Sequence, residues 1–255
     1  MKVVILAGGY GTRFNEETQD KPKPLIEIGG MPIIWHIMKN YSFHNNNEFI
    51  ICAGYKQEKI KEYFLSKFKH EIIIKELEYI KIKIFQNDTD PWFITIVDTG
   101  LKTMTGGRLK RIKNFVKNET FCFTYGDTLN DVNITKLIEF HKSLGTFVTI
   151  TACQPTGKFG ILNIKDKKVI EFIEKPKGDG NWVNGGYFVL EPSIFDYINN
   201  DSTIWEQEPL QNLTEKDHVS AFKHQGFYQP MDTMYDKKIL ENMWNSDNAK
   251  WKSWN

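Results

Sequence analysis

Lys2–Ala7 is apolar at every position after its lysine, rich in β-branched residues, and stops at glycine. A run with no polar face predicts a strand covered on both sides, as in a parallel sheet. Residues 49–53, 94–97, 121–125 and 147–152 repeat that texture and are the expected neighbours. Between them the spacing turns helical. Residues 32–43 open on a proline suited to a first helical turn, and residues 57–68 set Ile60, Phe64 and Phe68 on one face. Residues 107–117 do the same with Leu109, Ile112 and Val116, and residues 134–144 form a further candidate. Strands alternating with helices predict an α/β fold, a Rossmann-like mostly parallel or mixed sheet flanked by helices.

After Gln154-Pro155 the texture changes to short strand-like pieces at 160–164, 169–174 and 186–190, expected to form a small mixed C-terminal subdomain packed on the first half. Residues 71–85, rich in Ile and Lys with partial alternation, read as a hairpin or a mobile flap inserted near 71–97. The tail carries Trp244, Trp251 and Trp254, which are costly to leave in water and should dock on the domain or on a neighbouring subunit.

Composition narrows the classes of function. With 33 basic and 32 acidic residues in 255, the net charge is +1. That balance argues against a protein that coats nucleic acid or an anionic membrane, so any anion site must be local. Cys52, Cys122 and Cys153 are widely spaced with no C-x-x-C pair and read as buried, reduced thiols. The N-terminal apolar run is too short for a signal peptide, and no window approaches a membrane span; a cytoplasmic protein is expected. The six histidines show no metal-ligand spacing, and no Ser-His-Asp or Cys-His arrangement suggests a nucleophilic side chain.

The sharpest chemical feature is Leu6-Ala7-Gly8-Gly9-Tyr10-Gly11-Thr12-Arg13, a glycine loop directly after the first strand. Glycines allow close backbone approach and inward N–H groups, and Arg13 adds a forked cation, so the loop can cradle phosphate. It is neither a P-loop nor a dinucleotide fingerprint. Alone it is a tight turn; Lys21-Pro22-Lys23-Pro24 soon after it changes the reading. Prolines on both sides hold Lys23 where a fixed ammonium can stabilise charge. Asp127 follows an expected strand and so belongs at a carboxyl end, where open α/β sheets bind ligands.

These stretches, with Tyr125-Gly126-Asp127, Glu174-Lys175-Pro176, Asn184-Gly185-Gly186 and Met231-Asp232-Thr233, make the chain resemble the sugar-1-phosphate nucleotidyltransferases. Thr103-Met104-Thr105-Gly106-Gly107-Arg108-Leu109-Lys110-Arg111 and Trp205-Glu206-Gln207-Glu208-Pro209-Leu210 resemble the cytidylyltransferase branch that acts on glucose 1-phosphate.

The resemblance implies CTP and α-D-glucose 1-phosphate as substrates, CDP-glucose and pyrophosphate as products, and a role in bacterial surface polysaccharide. The alternative is another nucleotide, sugar phosphate or phosphorylated small molecule; a silent sensor is a third reading. By resemblance, residues 1–154 bind nucleotide, and residues 155–255 of the same domain serve the sugar phosphate and oligomerisation. Leu6, Ala7, Gly8, Gly9, Gly11, Thr12, Arg13, Lys23, Thr103, Arg108 and Gly126 would hold the nucleotide, with Lys23, Arg13 and Asp127 catalytic. Asp127 and Asp232 would hold Mg²⁺. Glu174, Lys175, Asn184 and Gly185 would bind the sugar phosphate, Gly185 and Gly186 leaving room for its ring. A homohexamer is implied. Lys110, Arg111, Lys113 and Lys117 are expected to be a solvated face. Thr128-Leu129-Asn130 stands where the family more commonly has Gly-Val-Ala, a change expected to reshape the sugar pocket.

Overall fold

The computed structural model describes residues 1–85, 91–157 and 159–254, the side chains of Arg13, Asn15 and Glu16 excepted. Among these residues nine strands form one sheet. From edge to edge they are Val219–His224, Val148–Cys153, Val183–Leu190, Phe121–Tyr125, Lys2–Ala7, Glu48–Ala53, Trp92–Asp98, Tyr79–Ile84 and His70–Lys75. The centre is parallel, Phe121–Tyr125, Lys2–Ala7, Glu48–Ala53 and Trp92–Asp98 running together. Val183–Leu190 enters antiparallel to both its neighbours, and the Tyr79–Ile84 and His70–Lys75 hairpin extends the other edge. The sheet is therefore mixed.

Both faces are covered, as the doubly apolar first strand requires. Val3, Ile5 and Ala7 point into one core with Ile34, Ile37, Phe64 and Trp251, whereas Val4 points into the other with Leu109, Phe123 and Trp205. Each large apolar side chain so placed contributes about 1.5–3 kcal/mol on burial. The texture change after Gln154-Pro155 does not interrupt the sheet, since later strands join it. The Ile161–Lys165 and Lys168–Ile173 hairpin stands apart, exposed along nearly its whole length.

Of three local expectations, one needs revision. Residues 107–117 do not make one helix: Thr105–Arg111 and Lys113–Val116 are separated at Ile112, and Lys117 closes the second in the left-handed region. Residues 71–85 are a hairpin continuing the sheet, while residues 86–90 of the expected insertion lie outside those described. Lys110, Arg111, Lys113 and Lys117 are exposed, as expected, and two of them also have partners within the chain. The Lys110 ammonium donates to the Ile198 and Asn199 carbonyls at 3.0 and 2.6 Å, and Arg111 forks onto Asp201.

The tail folds back on its own chain. Trp251 is buried and donates to His36 Nδ1 at 3.3 Å, the Trp254 ring meets Trp35 edge-on, and Ser253 donates to Asn40. His36 uses its other nitrogen toward the Ile28 carbonyl at 2.9 Å, which fixes the neutral tautomer. The three cysteines are free and buried, and burial pushes each thiol up to about 12. Among the described residues no helix is long and apolar enough to cross a membrane.

Candidate functional site

The carboxyl ends of the parallel strands open on a cavity of about 490 Å³. Leu6, Ala7, Gly8, Gly9, Gly11, Thr12, Lys23, Thr103, Arg108, Gly126, Asp127 and Asp232 all line it. Side-by-side pairing of Lys2–Ala7 with Phe121–Tyr125 sets the glycine loop beside Gly126-Asp127, and the Gly126 amide donates to the Leu6 carbonyl at 2.9 Å. A methyl on Gly126 would lie 2.4 Å from that same oxygen, so a larger residue would force the two strand ends apart. The backbone of Arg13 continues the loop in a short 3-10 helix; its side chain lies outside the described residues.

Asp232 reaches Asp127 by a second ladder. Tyr228–Pro230 pairs antiparallel with Thr128–Asn130, and the Met231 amide donates to the Asp127 carbonyl at 2.9 Å. Thr233 then caps the helix Met234–Asn245 with Asp236 in a capping box, which stops the chain turning away from the cavity. Thr128, Leu129 and Asn130 are spent in this ladder, nearly fully buried, and none lines the cavity. Of the three, Thr128 comes closest to the site, its hydroxyl donating to Asp127 Oδ1 at 3.3 Å.

Lys23 sits between the two carboxylates. Its ammonium is 2.6 Å from Asp127 Oδ2 and 2.8 Å from Asp232 Oδ1, with the lysine side chain 11% exposed and the aspartates 30% and 32%. Burial works against the charged ammonium, but the two carboxylates outweigh it and hold its pKa above the usual lysine value. The turn Pro22 to Leu25 that carries it is closed by Leu25 and Ile26 amides bonding back to Pro22 and Lys23.

A divalent ion fits this arrangement. Two hard oxygen donors already face one cation between them, and they open toward the cavity where phosphate oxygens and water could complete a shell. Among the described residues no group of three or more His, Cys, Asp or Glu could hold a metal alone, so the remaining ligands must come from substrate and solvent.

Arg108 lines the cavity, as expected of a nucleotide-binding residue, and also braces the strand ends. It is the fourth residue of its helix, only 4% exposed, and its guanidinium donates to the carbonyls of Gly8, Ala53 and Gly100 at 2.9, 3.2 and 2.8 Å and to Thr99 Oγ1 at 2.7 Å. One side chain thus ties together the ends of three adjacent parallel strands. A methyl on Gly8 would fall 2.1 Å from Arg108, which shows how closely the loop lies on it. Burial lowers the Arg108 pKa, yet a guanidinium stays protonated, so a positive charge remains directly behind the glycine loop.

The expected sugar residues lie outside the cavity lining. Glu174 and Lys175 touch each other at 3.6 Å with side chains 60% and 58% exposed. Asn184 donates to the Tyr125 hydroxyl, at the cavity wall, at 3.2 Å. Gly185 and Gly186 admit no side chain: a methyl would meet Cys153 Sγ at 2.5 Å and the Tyr125 ring at 2.8 Å.

The lining also includes Tyr10, Met104, Thr105, Tyr125 and Glu206, which the sequence reading gave no part in the site. Met104 and Tyr125 flanked the assigned positions Thr103 and Gly126. Glu206 had only its place in Trp205-Glu206-Gln207-Glu208-Pro209-Leu210 to mark it.

Comparison with known proteins agrees with this geometry. Residues 2–248 match the model of the nucleotidyl transferase family. The chain belongs to that family. It is 52% identical, over the full length of both chains, to glucose-1-phosphate cytidylyltransferase of Salmonella typhimurium. It is 31% identical to mannose-1-phosphate guanyltransferase of Saccharomyces cerevisiae, across 94% of this chain and 63% of that protein. In structure it resembles a UTP-bound UGPase from Acinetobacter baumannii, with TM-score 0.71, 15% identity and coverage of 98% and 95% of the two chains; that likeness shows the fold.

Proposed function

We propose that the protein joins CTP to α-D-glucose 1-phosphate, releasing pyrophosphate and giving CDP-glucose. The observation that carries this reading is the meeting of Lys23, Asp127 and Asp232 under a glycine loop, in a chain 52% identical end to end to a glucose-1-phosphate cytidylyltransferase. An oxygen of the sugar phosphate attacks the α-phosphorus, a new O–P bond forms, and the bond to the β-phosphate oxygen breaks with its electrons leaving on pyrophosphate. No covalent intermediate on the protein is required, so the chain's work is positioning and charge stabilisation.

In this reading residues 1–154 hold the nucleotide. The amides of Gly8 to Thr12 and the Arg13 side chain cradle the departing phosphates, with Arg108 supplying charge from behind the loop. Lys23 stabilises negative charge at the α-phosphate, which requires its ammonium to leave the aspartate pair when substrate arrives. Asp127 and Asp232 would hold Mg²⁺, which neutralises phosphate charge and orients the phosphates when bound. Residues 155–255 serve the sugar phosphate through Glu174, Lys175, Asn184 and Gly185. Since the tail tryptophans are engaged within the chain, the support for a homo-oligomer, a hexamer by family resemblance, moves to the hairpin, where Leu162, Ile164 and Phe172 stand exposed. A cytoplasmic location and a part in surface-polysaccharide synthesis follow from the same reading.

The test is pyrophosphate release with CTP, glucose 1-phosphate and Mg²⁺, set beside a matrix of the four nucleoside triphosphates and several phosphorylated acceptors. Turnover confined to the CTP and glucose 1-phosphate pair is expected. A better rate with another pair keeps the chemistry and replaces the substrates; no turnover with any pair removes the reading.

A further inference from the structure

Glu206 stands at the cavity wall and accepts two short hydrogen bonds, from Tyr125 Oη at 2.6 Å and from Thr105 Oγ1 at 2.6 Å. Thr105 is held in turn by the Trp205 amide at 2.9 Å. The Tyr125 oxygen also accepts from Asn184 Nδ2 at 3.2 Å, and Asn184 Oδ1 accepts from the Gly186 amide at 2.9 Å. Residues from separate parts of the sequence therefore form one chain of hydrogen bonds running from the wall of the nucleotide cavity to the expected sugar side.

The direction of that chain is not free. An ionised carboxylate can only accept, and a phenol has one proton. Once Tyr125 gives its proton to Glu206, its oxygen can offer only a lone pair to Asn184, and Asn184 must then turn its NH₂ toward Tyr125 and its oxygen toward Gly186. The Gly186 N–H, which can only donate, asks for the same orientation, and one hydrogen of that NH₂ and one lone pair of that oxygen are left over, a donor and an acceptor of the kind a sugar hydroxyl pairs with.

We propose that Glu206 is a positioning residue for the sugar half of the site: by fixing the direction of the Tyr125 hydroxyl it fixes which way round the Asn184 amide faces the sugar. This deepens the function proposed above and rests on its assignment of Asn184 to the sugar. Both Glu206 carboxylate oxygens accept from hydroxyls of the chain itself, so its part is to orient Tyr125. Its Thr105 bond anchors it to the helix start beside Thr103, which makes the nucleotide wall the reference against which the sugar contact is set.

The test compares the full chain with Tyr125→Phe, Glu206→Gln and the double variant by calorimetric titration with CDP and with CDP-glucose. Each single variant should lose about five- to tenfold in affinity for CDP-glucose while CDP binding changes less than about twofold, the scale of one hydrogen bond. The double variant should be no worse than the weaker single one, because both act through the same hydroxyl. Equal losses for both ligands, or losses that add in the double variant, would mean that Glu206 is only a structural staple. A ligand-free readout separates this from the functional reading. The Asn184 side-chain amide signals in a ¹H–¹⁵N spectrum, identified by their disappearance in Asn184→Ala, should move in both single variants. Unmoved signals overturn the relay. Moved signals, in a wild-type protein that binds CDP-glucose no better than CDP, keep the relay and remove the sugar assignment.

Discussion

The two halves of the proposed site are built to different standards. On the nucleotide side Lys23 and Arg108 are almost wholly withdrawn from water and each has multiple partners. On the sugar side Glu174 and Lys175 are more than half exposed, Lys175 has a positive φ of 44°, and the hairpin before them presents both faces to solvent. The lesson is electrostatic. Charges that must meet a triphosphate gain from being fixed beforehand in a low-dielectric setting, whereas a sugar phosphate, with one phosphoryl group and neutral hydroxyls, can be met by groups that settle on contact.

The hardest blow to this contrast is Arg108→Ala. It removes a donor from the Gly8, Ala53 and Gly100 carbonyls, of which Gly8 keeps the Tyr55 amide and Ala53 keeps the Thr99 amide and hydroxyl, and unfolding stability should fall by about 3 kcal/mol, the upper end of the ~1–3 kcal/mol for a buried polar group left short of its partner, measured by denaturant unfolding. A change under about 1 kcal/mol would show that the strand ends do not need this brace.

Next comes pH. His36 supports the Lys23 side from below through the Ile28 carbonyl, and burial lowers its pKa from 6.5 to about 4. Between those values the unfolded chain binds a proton that the native protein refuses. Stability from this group is therefore complete above about pH 6.5 and falls as pH drops toward 4, by on the order of 3 kcal/mol. Thermal unfolding from about pH 7.5 to about 4.5 should show that slope, and His36→Gln should flatten it; the same slope in the variant would assign the effect to other groups.

Lys23→Ala and Asp127→Asn should each reduce kcat at least ~100-fold in the pyrophosphate assay, the effect of losing one preorganised charge. A rate within a few-fold of wild type in either variant would remove that residue's proposed role. The smallest effect sharpens the other side of the comparison. Glu174→Gln and Lys175→Ala should leave stability within about 0.5 kcal/mol, as exposed pairs do, while raising the sugar-phosphate KM more than the CTP KM. A clear loss of stability there would mean that the sugar half is as firmly built as the nucleotide half.

Much of this was legible in the chain. Phe121–Tyr125 ends where its apolar run ends, and Lys2–Ala7 stops at the glycine that begins the loop, because strand burial and glycine backbone freedom act over a few neighbouring residues. The single helix expected over 107–117 breaks at Ile112, whose backbone leaves the helical region while Leu109, Ile112 and Val116 still share one core, so apolar periodicity reports the buried face and not the break. The carbonyl partners of Arg108 were hidden as well, since Gly8 and Ala53 lie at strand ends far away in the sequence.

The sequence by itself determined the elements, the two-sided core and the local phosphate chemistry, since each rests on spacing and backbone sterics within one segment. Only the tertiary structure decided that Asp232 folds back beside Asp127, that Arg108 reaches Gly8 from 100 residues away, and that Glu206 holds Tyr125 across 81. Those meetings are fixed by strand pairing and by the need of buried polar atoms for partners, and both are conditions on the assembled chain.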